Sequence, residues 1–589
     1  MAQASLSLLI LLIAFTGFHR QLQVLSSEYD FSYMKSVYNA TYLPPEEEYD
    51  YIVIGGGTAG CPLAATLSEE YSVLVLERGN APKAHPSVLH ASGSLANLMR
   101  EEEEDVDDGD TPAQRFTSED GVANVRGRVL GGSSMINAGF FSRADNEFFS
   151  KSGVEWDLDE VEKAYEWVEE SIVSRPDLSA WQSVVKEALL EAGVGPDNGV
   201  NLKHELGTKV SGSTFDEMGR RHGAVELLNK GDLKNLRVAI HATVERIIFS
   251  TKTANPSAIG VIYTDSKGES HKASIRQNGE IILSAGAVGS PQLLLLSGIG
   301  PHSYLSSLNI PIVHSQPNVG KFMADNPRNN INLVIPFPYI PSTARVVGIT
   351  NDYFIESASI NLPFSPTSLP FGFLPTPSSP LELSLAVIAE KIVGPLSRGS
   401  LRLASKTDVK ATPHVQFNYF TDPTDLSRCV SGMRKLGELL KTKSMDRFKY
   451  RDFNGARDFM FLGPTLPTNQ SDDSSMEAFC QSSVTTIWHY HGGCLVGKVV
   501  DGDFKVIGTN SLRVVDGSTF TISPGTNPQA TLMMIGRYVG LKILRERREL
   551  NYNGNSLSAI PQGQNYLGSH IKATCGQETV LSSCVCNGQ

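Results

Sequence analysis

The chain has 589 residues, 41% hydrophobic and 19% charged, with a formal net charge of -12 at pH 7. That composition is globular, and the length exceeds one ordinary core, so two intimately joined domains are expected. The acidic balance, with no basic cluster, argues against nucleic acid or anionic membrane as a partner, because neutralising phosphates needs a basic face.

Leu6 to Phe15 is an apolar run too short to span a bilayer, and Ser26-Ser27 offers small residues for cleavage. It reads as a secretory signal peptide over 1–26, with a membrane anchor as the competing reading because Arg20 follows the run instead of preceding it. No span is expected after its removal. Asn39-Ala40-Thr41 and Asn469-Gln470-Ser471 are glycosylation acceptors in such a compartment, at Asn39 and Asn469.

Tyr49 to Ile54 reads as a strand ending in Gly55-Gly56-Gly57-Thr58-Ala59-Gly60, followed by a helix from Pro62 to Ser68 and a second strand from Val73 to Leu76. Gly55 suits the tight turn, Gly57 the approach of backbone to a pyrophosphate, and Gly60 the packing of helix on strand. Glu77 closes the unit as an acceptor for a ribose diol. The unit therefore binds a dinucleotide; NADP is disfavoured, and NAD and FAD stay unresolved at this point. Glu101 to Asp110 is an acidic run that reads as a solvated loop.

Arg126 to Gly139 combines a glycine turn, paired serines and an amide, a backbone able to approach a flat ring. Gly286 to Gly300 follows the strand Glu280 to Leu283 and reads as a helix capped by Ser290, with Pro291 in its first turn. Pro336 to Pro380, rich in proline and serine, reads as irregular structure over a pocket. Of seven cysteines, Cys61 and Cys494 read as buried thiols and Cys575, Cys584 and Cys586 lie in a polar tail, leaving Cys429 and Cys480 as the expected bridge.

The segments 126–139 and 286–300 resemble, position by position, the two signature motifs of the glucose-methanol-choline (GMC) oxidoreductases, and the likeness extends from about Phe31 to Arg548. The resemblance implies an α/β fold: a discontinuous Rossmann-like FAD-binding domain with an α+β substrate-binding domain containing an antiparallel sheet. It divides the chain into FAD-binding segments 48–150, 211–325 and 481–550, substrate segments 151–210 and 326–480, and a flexible tail 551–589. It also implies FAD as the cofactor, with Gly57, Thr58, Glu77, Arg78 and Val244 at the ADP half. Val129, Ser133, Asn137, Ala138, Gly139 and Phe140 should line the pyrophosphate and isoalloxazine, and Trp488, His489, Asp516, Gly517, Asn527, Pro528 and Gln529 should close over the ring. Asp516-Gly517 also reads as a plain turn. No histidine lies between Arg128 and Ser134, so the FAD is expected to be non-covalent.

In this family an alcohol C–H delivers hydride to the flavin while a base takes the hydroxyl proton. The resemblance makes His489 the base, suited by an imidazole that titrates near neutrality, and Asn527 the amide that holds the substrate oxygen. His491 reads as a packing residue, on the same face of an extended segment, and His489, His491 and Cys494 match no metal-ligand set. Over much of its length the chain is similar to plant hydroxynitrile lyases of the mandelonitrile lyase type, which split a cyanohydrin without net redox change. At the catalytic positions it departs from them: Ile487 stands for their tyrosine, Asn527 for their histidine, and Glu356 aligns with a pocket cysteine. There it is similar to the Hothead-type branch, so the expected function is FAD-dependent oxidation of an alcohol. A hydroxynitrile lyase is the alternative, and a secreted flavoprotein without turnover a third reading. Glu356, if it faces the pocket, should repel a carboxylate substrate. A monomer in the secretory pathway, delivered to the cell wall, extracellular space or vacuole, is expected, with a small alcohol or cyanohydrin as its partner.

Overall fold

A computed structural model describes residues 29–93, 97, 110–175, 177–364 and 381–558. The expected signal peptide, the acidic run short of Asp110, and Cys575, Cys584 and Cys586 lie outside them. The chain parts into two compact units at Leu544 and Arg545, and every strand belongs to the first.

Two eight-stranded sheets organise that unit. In the first, Glu46–Ile54 lies between Val73–Leu76 and Ser270–Leu283, all parallel. Val73 to Leu76 is buried at every position, as a parallel strand covered on both faces must be, which explains its unbroken apolar run. The helix Gly60–Ser68 packs so tightly behind it that a Cβ on Gly60 would stand 2.0 Å from the Gly55 carbonyl oxygen. Much later in the chain, Leu512–Val514 joins in parallel beside Ile281 to Leu283.

Pro327–Val334, Leu381–Ile392, Tyr353–Phe364 and Val346–Ile349 form the centre of the second sheet, antiparallel throughout. This corrects the irregular segment expected over 336–380: its described part is mostly strand. Alternation decides it, since Tyr353 and Ile355 enter one apolar cluster while Phe354 enters another. Residues 365–380 lie outside the described residues. Helices Pro423–Leu439 and Asp473–Ser482 pack on one side of the sheet, and the Cys429–Cys480 disulfide joins them with Cα atoms 6.3 Å apart. The last helix, Gln529–Ser558, continues past Asn551, where composition alone predicts a flexible tail; no proline interrupts it and Arg545 to Leu550 are helix formers.

Adjacent residues on the strand Leu381–Ile392 face opposite ways. Glu390 is fully buried, and neither carboxyl oxygen has a hydrogen-bond partner among the described residues. Burial pushes its pKa well above the ordinary glutamate value, so the folded protein keeps it protonated. The folded state thus holds this proton more tightly than the unfolded chain. Its stability is greatest below the ordinary glutamate range and declines as pH rises through that range toward the raised folded value. Glu390→Gln, which copies the protonated carboxyl, is expected to leave the melting temperature unchanged near pH 4 and raise it at pH 7.5; equal shifts at both pH values would contradict a protonated Glu390.

Candidate active site

A cavity of about 840 Å3 runs from the carboxyl ends of the first sheet's strands to the second sheet. Gly55, Gly57, Thr58, Glu77, Arg78 and Val244 line one end. Gly55 adopts φ +101° and Gly132 φ +60°, and a Cβ on Gly132 would come 2.7 Å from Gly57 Cα. Two glycine turns thus meet with no side chain between them. Glu77 is fixed by the N–H groups of Gly56 and Gly79, at 3.0 and 2.8 Å. Gly60 is not on the cavity wall, in keeping with its packing task.

Ser133, Asn137, Ala138, Gly139 and Phe140 line the middle of the cavity. Val129 does not: it is fully buried and bridges to Asn80, so its part in the cavity wall is withdrawn. Asn137 donates to Gln529 Oε1 at 2.8 Å and accepts from the Gly139 N–H and from Arg221. Arg221 is wholly buried, held by the carbonyls of Val88, Ser134 and Asn137 and stacked over Phe215. Nothing in the sequence distinguishes it.

Asp516 and Gly517 also reach the cavity, and the turn reading holds with them, since Asp516 caps the short helix Gly517–Thr519. The same carboxylate accepts from Gly286 N–H at 2.9 Å and Ser290 Oγ at 2.5 Å. The helix therefore runs Gly286–Leu296. Ser290 is not its cap, and Pro291 lies inside it; the capping acceptor comes from Asp516, which a local reading could not find.

Ile487, Trp488, His489, Asn527 and Pro528 line the far end, with Glu356 and Gln529. Trp488 has φ +60°, which breaks the pleat, so the same-face argument for His489 and His491 does not apply. Both histidines nevertheless reach the wall. His489 Nε2 lies 3.4 Å from Asn527 Nδ2; with the amide as donor, the Nε2 lone pair accepts from it and the imidazole proton sits on Nδ1. Burial, then the charge of Lys391, holds its pKa well below the usual histidine range. The backbone of His489 donates to Asp325 at 3.0 Å, and Tyr419 donates to the same carboxylate at 2.5 Å. Burial pushes Asp325 up to about 6 against those hydrogen bonds. His491 Nδ1 donates to the His489 carbonyl at 2.9 Å, which fixes the ring.

Glu356 faces the cavity but is not a free negative charge. Lys391 Nζ donates to it at 2.7 Å and to Asn527 Oδ1 at 3.0 Å. The expected repulsion of a carboxylate substrate is therefore withdrawn: a buried cation neutralises Glu356. Sheet register makes the contact, because Lys391 pairs with Arg328 on one side and Phe354 on the other, placing Glu356 diagonal to it. Arg328 in turn lies over the Trp488 ring, 4.9 Å from its centroid.

The GMC oxidoreductase family models match residues 49–328 and 395–536. The chain belongs to the GMC oxidoreductase family. It is 56% identical over 543 residues to (R)-mandelonitrile lyase 1 of Prunus serotina, covering 92% of this chain and 94% of that one. It is 54% identical to sinalpyl alcohol oxidase Nec3 of Nesocodon mauritianus, over 88% and 92% of the two chains. With Protein HOTHEAD of Arabidopsis thaliana the identity is 45%, over 85% and 89%. An Aspergillus oryzae formate oxidase has the same fold at 20% identity, TM-score 0.69, over 86% of this chain and all of the other.

The cofactor is FAD, and the cavity fits it. The bare meeting of Gly57 and Gly132 leaves room for a pyrophosphate, Glu77 lines the same end of the cavity, and Arg126 lines the wall with a buried Nη2 that has no partner among the described residues. Gly132→Ala is expected to fold but to purify with less than about a tenth of the flavin, since its Cβ collides with backbone. A normal ratio of absorbance at 450 and 280 nm would refute that close approach.

Proposed function

We propose that this protein oxidises an alcohol, with His489 as the base and Asn527 as the hydroxyl-binding amide. The observation that carries the reading is the facing pair, His489 Nε2 and Asn527 Nδ2 at 3.4 Å on the cavity wall, with apolar Ile487 beside it. A substrate oxygen lodged there accepts from Nδ2 while its hydrogen faces the Nε2 lone pair. Bound FAD supplies the hydride acceptor. His489 would take the hydroxyl proton, a role worth about 10²–10⁴ in rate, and Asn527 would hold the hydroxyl oxygen so that the carbinol C–H can face the bound cofactor. Trp488, Phe140 and Ile487 line the cavity and give the developing carbonyl an apolar surround.

Hydroxynitrile cleavage is the second reading, and the 56% identity to a mandelonitrile lyase favours it. It is outweighed here by the site, since chemistry follows residues rather than whole-chain likeness. The Cys429–Cys480 disulfide and the exposed Asn469 sequon support passage through the secretory pathway.

Anaerobic mixing with benzylic, cinnamylic or long-chain primary alcohols is expected to bleach the flavin, and mandelonitrile to release no benzaldehyde; the reverse pattern would make the lyase reading correct. His489→Ala is expected to keep its yellow colour and to be reduced at least about a hundredfold more slowly. An undiminished rate would remove His489 as base. Because the pKa of His489 is lowered, the neutral base persists on acidification, and the reduction rate is expected to stay flat from pH 8 through the ordinary histidine range, falling only below it. A midpoint near pH 6.5 would contradict that.

A further inference from the structure

Lys391 is almost sealed from solvent, its side chain 3% exposed, and its ammonium serves two acceptors, Glu356 Oε1 at 2.7 Å and Asn527 Oδ1 at 3.0 Å. A primary amide accepts at one end and donates at the other. Here a cation occupies the accepting end, so the donating end is the one that faces His489 Nε2. The reversed rotamer would set the amide NH2 against the ammonium, two donors without an acceptor in a buried site.

We infer that Lys391 and Glu356 are positioning residues for Asn527: Lys391 locks the amide as a donor toward the substrate oxygen, and Glu356 holds Lys391 in place. The inference deepens the alcohol reading and rests on it. Its chemical consequence is the direction of the substrate's proton. A hydroxyl that accepts from Nδ2 has its own hydrogen free to face Nε2, whereas a flipped amide would accept that hydrogen and draw it away from the base. A cation on the carbonyl end also polarises the amide and strengthens its N–H as a donor. Glu356 supplies the counter-charge without which an ammonium this deeply buried would be disfavoured. Burial holds the Lys391 pKa below the ordinary lysine value, and the Glu356 carboxylate opposes that shift only in part.

The test is a mutant cycle on binding, in the FAD-loaded protein, of 2-phenyl-2-propanol, a tertiary alcohol with no carbinol hydrogen to lose. Binding is read from the shift of the flavin bands. The variants are Asn527→Ala, the pair Lys391→Met/Glu356→Gln, and all three together; the pair removes both charges, so no lone ion stays buried. Each of the first two is expected to weaken binding about tenfold, and the triple variant no more than either. Losses that multiply in the triple variant, or undiminished binding by the pair variant, would overturn the inference. Should the pair variant fail to fold, Asn527→Asp decides: it keeps the contact with Lys391 but has no donor, and is expected to bind as weakly as Asn527→Ala, so tight binding would overturn the inference equally. A non-additive cycle without bleaching by any primary alcohol would sink alcohol oxidation alone; bleaching with an additive cycle would sink the positioning role alone. No binding to the unsubstituted protein would overturn the positioning role, and alcohol oxidation with it if no primary alcohol bleaches the flavin.

Discussion

One buried carboxylate ties the late segments of this chain to its opening nucleotide fold. Asp516 accepts from the Gly286 N–H at the start of a helix, from Ser290 Oγ, and from both the N–H and the hydroxyl of Ser518. Burial holds its pKa above the ordinary aspartate value against the pull of these donors, and the carboxyl sits at a helix N-terminus, where negative charge is favoured. The strand Leu512–Val514 delivers it there by pairing with Ile281 to Leu283. The turn it caps then carries the histidine segment: Gly492, Cys494 and Val496 donate to the carbonyls of Gly517, Ser518 and Thr519. The position of His489 is therefore inherited from Asp516.

The second sheet contributes the opposite wall by register rather than by loops. Glu390 and Lys391 are neighbours in sequence, yet the pleat sends one toward the helix Pro423–Leu439 and the other toward Asn527. Two solutions to burying an ionisable group stand side by side. Glu390 has no hydrogen-bond partner among the described residues and gives up its charge; Lys391 has Glu356 and keeps the pair. A strand position is fixed more finely than a loop position, so polar groups that must aim an amide gain from being placed on one.

Legibility in the sequence followed the range of the interactions. The strand, glycine turn and helix at 49–68 were readable because a local rule, small residues where backbone meets phosphate, sets every position. The helix at Gly286 was misplaced because its capping acceptor lies 230 residues away. The strand Tyr353–Phe364 was hidden by the prolines and serines around it, although its alternation was intact. Glu356 was found without its partner, and Lys391, Asp325, Arg328 and Arg221 were not found at all. Each is an ordinary charged residue in its own segment, and only cross-strand register or a distant carbonyl gives it a task.

That same locality bears on why whole-chain likeness and site residues point different ways. Identities of 56% to a lyase and 54% to an alcohol oxidase differ by less than the handful of positions that touch a substrate oxygen can decide. Taking a proton from a hydroxyl needs one neutral imidazole with its lone pair aimed and one donor to hold the oxygen. Releasing cyanide also calls for a group to hand a proton to the departing anion. At this site Ile487 offers no such group, the amide end that faces the cavity is a donor of weak acidity, and Lys391 is already engaged by Glu356 and Asn527, so the proton taken up by His489 is the one at hand. On the reading proposed above, the proton donors and acceptors around Asn527, more than the percentage of shared residues, separate the two reactions.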